Sequence, residues 1–150
     1  MIYVMSGLPG SGKSTWAENA RLGATGPVEV VSADKYFLRD GEYKFEPKLL
    51  PDAHAACLRA FTELVSYYPN DRMLVVVDNT NISNWERAPY MALGHAFGHD
   101  TTLIIIETPI EVCLAKNIHG VSEDAIVGMK ARFEQPLRHW KYEKVKRTEP

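Results

Sequence analysis

The stretch Met5-Ser6-Gly7-Leu8-Pro9-Gly10-Ser11-Gly12-Lys13-Ser14-Thr15 decides how this chain is to be read. It contains the pattern GxxxxGK[ST] from Gly7 to Ser14. The apolar run Ile2-Tyr3-Val4-Met5 precedes it, and a helical pattern from Lys13 to about Leu22 follows. A strand, a glycine loop and a helix in that order make a phosphate cradle. The glycines let the loop turn its backbone N–H groups inward, and the helix adds its positive N-terminus. The Lys13 ammonium is placed for the β and γ phosphates of a nucleoside triphosphate, and the Ser14 hydroxyl for Mg²⁺. Gly7, Pro9, Gly10, Ser11, Gly12, Lys13, Ser14 and Thr15 are therefore the candidate nucleotide-binding residues. The loop does not say what receives the terminal phosphate.

Working outward, short apolar runs alternate with helical patterns. Val28-Glu29-Val30-Val31 reads as a second strand, ended by Ser32-Ala33-Asp34. The RDGEY stretch is a turn. A helix begins near Pro47, with Leu50, Ala53, Cys57, Phe61, Leu64 and Val65 on its apolar face. Met73-Leu74-Val75-Val76-Val77 is a central strand ending in Asp78, and Ser83-Asn84-Trp85-Glu86 is a capping box that opens a helix to about Phe97. Leu103-Ile104-Ile105-Ile106 is a fourth strand. Pro109 opens a short helix to about Lys116, and a last helix runs from Asp124 to Glu134, before Pro136. Near-continuous apolar strands joined by helices predict an α/β, three-layer P-loop NTPase or kinase fold: a mostly parallel sheet with helices on both faces. We place the domain at residues 1–136, with a lid near 116–124, followed by a basic C-terminal segment over 137–150.

At 150 residues, 45% of them hydrophobic, the chain can bury one real core. Its net charge of −2 excludes a polycation that coats nucleic acid as a whole. The charge is uneven, however. Lys130 to Arg147 holds seven basic residues against Glu134 and Glu143, a net of +5, which leaves −7 for the remainder. A basic end on an acidic body suits an anionic partner, and a solvated terminal helix accounts for it equally well. Cys57 and Cys113 are the only cysteines and stand far apart, which argues against a zinc site or a disulfide framework. No run approaches the ~20 apolar residues of a membrane span, and Met1 to Gly7 has no signal-peptide pattern. The expectation is a cytoplasmic protein with reduced thiols and no membrane partner.

In a parallel sheet ligands gather beyond the carboxyl ends of the strands. Asp78 ends the central strand there and is a candidate metal-site carboxylate. Asp34 follows the second strand and is the candidate general base for an attacking hydroxyl, a helix-capping role being the alternative. Arg132 is a candidate for transition-state charge, or else a surface helix residue. His119 in the lid is a loop hydrogen-bond residue before it is a catalyst. Trp85 either stacks a base or packs its helix on the sheet. Trp140 and Tyr142 interleave with Arg138, Lys141 and Lys144, a mix that suits single-stranded nucleic acid and equally a packed terminal strand or helix.

The order GLPGSGKSTWAENA, SADKYF, VVVDNTNISNWER and AKNIHGVSED resembles the polynucleotide kinase branch of P-loop kinases. Most of all it resembles relatives in phages and accessory domains of animal proteins that carry SADxYF, DGxYxF, DNTN and HGVS. The likeness covers about residues 2 to 134. It implies that Asp34 is the general base, that Lys13 and Ser14 serve the phosphates and Mg²⁺, and that Asp78, Asn79, Thr80 and Asn81 line the acceptor site. It sets the lid cation at Lys116, beside Asn117, where phage enzymes carry an Arg. Phe37 stands where those kinases grip an acceptor phosphate with Arg. It is either a base-stacking residue or core, and core is the ordinary fate of a lone Phe.

The resulting expectation is an enzyme that uses ATP and Mg²⁺ to phosphorylate a hydroxyl of a nucleic acid, DNA or RNA, with the 5′-hydroxyl first. A hydroxymethyl group on a modified phage base, a nucleoside or other small molecule, and an NTP-binding switch or ATPase remain open. No NKxD-type guanine motif is present to favour a GTPase.

Overall fold

The computed structural model describes residues 1–117 and 120–148. The N-terminal run forms β1 (Ile2–Ser6), and the glycine loop leads from it into α1 (Lys13–Gly23). Strand β2 (Val28–Val31) follows, then a 3-10 turn over Ala33–Phe37. Next come two short antiparallel strands, β3 (Leu38–Arg39) and β4 (Glu42–Tyr43). The long helix α2 (Leu50–Tyr67) returns the chain to β5 (Leu74–Val77). Helix α3 (Asn84–Ala96), β6 (Thr101–Glu107), α4 (Ile110–Ala115), α5 (Glu123–Arg132) and β7 (Tyr142–Lys146) complete it.

The main sheet has the order β2-β5-β1-β6-β7, and each of its pairings is parallel. The expected α/β class therefore holds. The central strands are buried on both faces, which is why they read as unbroken apolar runs. Ile2, Val4, Val75, Val77, Leu103 and Ile105 face one layer, with Phe61, Val65 and Tyr90. Met5, Val76, Ile104 and Ile106 face the other, with Ala17 and Trp16. On α2 the fully buried residues are Ala53, Cys57, Phe61 and Val65, one per turn. Leu50 and Leu64, expected on the same face, lie at its margins. The Phe61 ring meets Tyr90 edge-on, with centroids 5.0 Å apart.

At the C-terminal region the structure decides between the strand and the helix that the sequence left open. Residues 142–146 are neither a helix nor a detached tail but the fifth strand, laid parallel to β6 from Leu103↔Tyr142 to Glu107↔Lys146. An edge strand tolerates the charges of YEKVK because one face and one rim stay in water. Val145 alone packs on the core below. Lys141 pairs with Asp100 at 2.9 Å and Lys144 with Glu107 at 3.5 Å. Part of the basic cluster is thus spent on the sheet itself.

One buried side chain ties the layers together at the ligand end. Arg87, on the first turns of α3, is 0% exposed. Its Nε donates to the Asn81 carbonyl at 2.7 Å, and Nη1 donates to Asn84 Oδ1 and the Glu134 carbonyl, both at 2.8 Å. Nη2 donates to Ser6 Oγ at 2.9 Å and the Ile82 carbonyl at 3.2 Å. A guanidinium has five N–H donors, and all are used. Its face lies 5.2 Å from the centroid of the Phe133 ring. Burial lowers the Arg87 pKa, against the opposing pull of Glu134 and Glu86.

Replacing Arg87 with Met should remove this knot and leave several buried acceptors unpaired. We expect a loss of ~3 kcal/mol or more, read by urea denaturation. Arg87→Lys keeps the charge but has three donors for five acceptors, so it should recover only part of that loss.

Candidate phosphotransfer site

The glycine loop is built to hold an anion. Gly10 and Gly12 sit at φ 78° and 98°, where side-chain-bearing residues are strained. A Cβ on Gly10 would run into the Cys113 carbonyl, and one on Gly12 into the Arg147 guanidinium. The loop is braced from outside by Thr108 Oγ1, which donates to the Ser11 carbonyl at 2.7 Å. Ser11 Oγ is buried and has no hydrogen-bond partner among the described residues. A buried hydroxyl without a partner is costly, and a phosphate oxygen in the loop would satisfy it. Lys13 Nζ donates to the carbonyls of Gly7 and Leu8, each at 3.0 Å. Burial lowers its pKa, while Asp78, Cys113 and Asp34 act to raise it. Both carboxylates are therefore within electrostatic reach of the ammonium.

Ser14 Oγ donates to Asp78 Oδ2 at 2.9 Å. Hard oxygen donors of this kind suit Mg²⁺, which takes one or two protein oxygens and completes its shell with phosphate and water. Among the described residues no cluster of three or more His, Cys, Asp or Glu suggests a different metal. Asp34 lies exposed in the 3-10 turn after β2. Ser32, not Asp34, caps that turn, accepting from the Asp34 N–H at 3.2 Å. The Asp34 carboxylate accepts a hydrogen bond from the Tyr43 hydroxyl at 3.2 Å.

The DNTN stretch proves to be a splice. Asn79 Oδ1 accepts from the Ala33 N–H at 2.8 Å, which fixes the turn carrying Asp34, and its Nδ2 donates to Cys57 Sγ at 3.5 Å. The Tyr90 hydroxyl joins the same buried group, and burial pushes its pKa up. Asn81, at φ 43°, donates from Nδ2 to the Met5 carbonyl at 2.9 Å and accepts at its own carbonyl from Ser6 Oγ at 2.8 Å. Thr80 accepts at its carbonyl from the Gly7 N–H at 2.9 Å. Asn79 and Asn81 are buried with their amides committed to the protein. They hold the glycine loop and the turn bearing Asp34 in register rather than offering polar groups to an acceptor. Phe37 is core: 1% exposed, it meets Tyr36, Tyr43 and Phe45 edge-on, so it offers no face to a base. Trp85 does not pack α3 onto the sheet. It stands 87% exposed.

The lid residues are less engaged. Lys116 follows α4 and Arg132 ends α5; both are exposed, and neither side chain makes a hydrogen bond or ion pair among the described residues. Asn117 bonds to Val121 in both directions. His119 lies outside the described residues. Arg147 was not singled out by its sequence. Its charge was legible, but its place over Gly12 follows from β7, whose end is set by the Arg147 N–H donating to the Glu107 carbonyl at 2.8 Å.

Comparison with known proteins agrees with this fold. Residues 2–141 match the family described as AAA domain, and the chain belongs to that family. It is 31% identical over 144 residues to human NEDD4-binding protein 2, a match over 90% of this chain and 8% of that far longer protein. Among solved structures it is similar to the Mycobacterium tuberculosis APS kinase in complex with AMPPNP and APS, at TM-score 0.65 and 21% identity, over 97% of this chain and 87% of that one. It is also similar to Chaetomium thermophilum Kti12 in complex with ADP-AlF3, at TM-score 0.66 and 15% identity, over 99% and 89% of the two chains. At such identities the likeness establishes a P-loop kinase fold. No helix among the described residues is long and apolar enough to cross a membrane.

Ser14→Ala and Asp78→Asn should each weaken Mg²⁺-dependent ATP binding roughly 10- to 100-fold, the scale of a lost charge-assisted hydrogen bond. Calorimetric titration should show the double variant little worse than either single one, because the two residues act as a pair. Arg147→Ala should raise the ATP dissociation constant several-fold while leaving the melting temperature near that of the parent.

Proposed function

We propose that this chain is a Mg-ATP-dependent kinase that transfers the γ-phosphoryl group to a hydroxyl of a nucleic acid, a polynucleotide 5′-hydroxyl before other acceptors. The placement of Asp34 carries the reading. Its carboxylate is exposed, belongs to no ion pair among the described residues, and rides on a turn that the Ala33 N–H ties to Asn79, the residue after Asp78. A carboxylate so placed can take the proton of an attacking hydroxyl as the bond to phosphorus forms.

The other residues divide the remaining work. The loop N–H groups, the Ser11 hydroxyl and the N-terminus of α1 hold the phosphates. Lys13, turning from the carbonyls of Gly7 and Leu8, follows the charge that develops on the γ oxygens. Ser14 and Asp78 would hold Mg²⁺, which supplies further neutralisation of the β and γ oxygens when bound. Lys116, exposed where α4 gives way to the lid, and Arg132, exposed at the far end of α5, are the cations available to close over the transferring group.

An open setting favours a large acceptor. The chain does contain a cleft of about 900 Å³, but it lies between β2, the 3-10 turn and α2. Val31, Lys35, Tyr36, Cys57 and Tyr67 are among its lining residues, whereas Asp34, Lys13 and Ser14 are not. Ser32 and Lys35, on either side of Asp34, also line the cleft, so it adjoins the turn that bears the carboxylate. The basic cluster gives less support than its sequence promised, because Lys141 and Lys144 are paired with Asp100 and Glu107.

Transfer of labelled γ-phosphate from ATP tests the reading. The acceptors are a 5′-hydroxyl DNA strand, its RNA counterpart, a 5′-blocked strand bearing hydroxymethyluracil, and a nucleoside mixture. We expect label on the 5′-hydroxyl strands, reduced at least 100-fold by Asp34→Asn. Label on the nucleosides alone would sink the nucleic-acid reading. Label on the blocked strand alone would move the activity to base modification, and ATP turnover indifferent to every acceptor would make the domain a switch.

A further inference from the structure

The hairpin after Asp34 presents more aromatic surface than a turn requires. Its strands β3 and β4 are joined through Asp40 and Gly41, both at positive φ. Tyr43 and Phe45 are two residues apart on extended chain, so their side chains lie on one side. Their rings are parallel within 6°, with centroids 6.4 Å apart. Buried Phe37 meets both edge-on, at 6.2 and 5.1 Å. The Lys44 N–H between them donates to the Phe37 carbonyl at 2.8 Å. The pair is thus seated on the core, yet Tyr43 remains 41% and Phe45 48% exposed. The Tyr43 hydroxyl reaches the Asp34 carboxylate.

We propose that Tyr43 and Phe45 form the acceptor platform of this site, on which the base of the nucleotide being phosphorylated stacks. The proposal rests on the phosphotransfer reading above and names the part of the acceptor that the enzyme grips. Two observations converge. The platform adjoins the proposed general base through a hydrogen bond, so a hydroxyl held at Asp34 brings its own nucleobase to these rings across a single sugar. The rings are held in place before any ligand arrives, so little conformational freedom is lost on stacking. A stacking face tolerates any base. The platform therefore predicts an enzyme that requires a base at the phosphorylated end without choosing which one.

Steady-state transfer to two strands tests this: one with a 5′-terminal nucleoside, and one whose 5′-terminal residue is abasic but keeps its hydroxyl. Stacking on an aromatic side chain predicts an acceptor KM roughly 5- to 150-fold higher for the abasic strand. In Phe45→Leu, which keeps apolar bulk but loses the flat face, the ratio of the two KM values should fall toward one, with the KM for ATP unchanged. Phe45→Trp should hold the ratio at or above the parent value, and Tyr43→Phe, which keeps its ring, should also retain it. Equal KM values for both strands in the parent enzyme would overturn the platform and leave the kinase reading standing. So would a Phe45→Leu protein that loses activity on both strands at the parental ratio, since the ring would then be only a cover for Phe37. No label on either strand would remove the kinase reading, and the platform with it.

Discussion

A single guanidinium, buried where three segments of the chain meet, sets the geometry on which the site depends. Arg87 satisfies acceptors on β1, on the loop after β5, and on the segment after α5. None of these can shift alone without stranding a donor. A buried charge is costly unless every donor finds a partner, and here each does. The phosphate loop begins one residue after Ser6, one of its acceptors, and the carbonyl of Asn81 accepts from both Ser6 and Arg87. The position of the glycine cradle relative to Asp78 is thus inherited from a side chain that touches neither.

The same economy recurs on the other side of Asp78. Asn79 reaches across to the Ala33 amide, so the turn bearing Asp34 is hung from the strand that bears Asp78. The two carboxylates are thus joined through a short buried linkage, and Cys57 and Tyr90 close it from beneath. The polar residues at this end of the sheet form a scaffold around Ser14, Asp78 and Asp34, while Lys13 rests on the carbonyls of Gly7 and Leu8.

The strands and the glycine loop were legible because their signals are local. Unbroken apolar runs mark strands covered on both faces, and positive-φ glycines mark the cradle. The capping box at Ser83 and Glu86 was equally local and forms as read. Asn79 and Asn81 were not legible in the same way, since an amide beside a phosphate loop looks alike whether it faces a ligand or a backbone. Arg87 was hidden for a related reason: a charged residue early in a helix suggests solvent, and only the convergence of distant carbonyls buries it. Trp85 misled in the opposite sense, because a large aromatic near a helix start suggests packing. The strand Tyr142–Lys146 escaped because its register is dictated by β6, and its alternating charges carry little apolar pattern of their own.

That fifth strand ties folding to chemistry. The residues that cradle the phosphates lie close to the first strand, whereas Arg147, which covers Gly12, arrives only after almost the whole chain has been laid down in the sheet. Contacts of such long sequence separation form late, because the entropy of closing the loop is lost before the contact returns anything. The brace from Thr108 to Ser11 closes a shorter stretch of chain than the cover from Arg147 to Gly12. The outermost edge of the sheet is therefore tied to the phosphate loop, and damage to the pairing of β6 with β7 would be felt at Gly12.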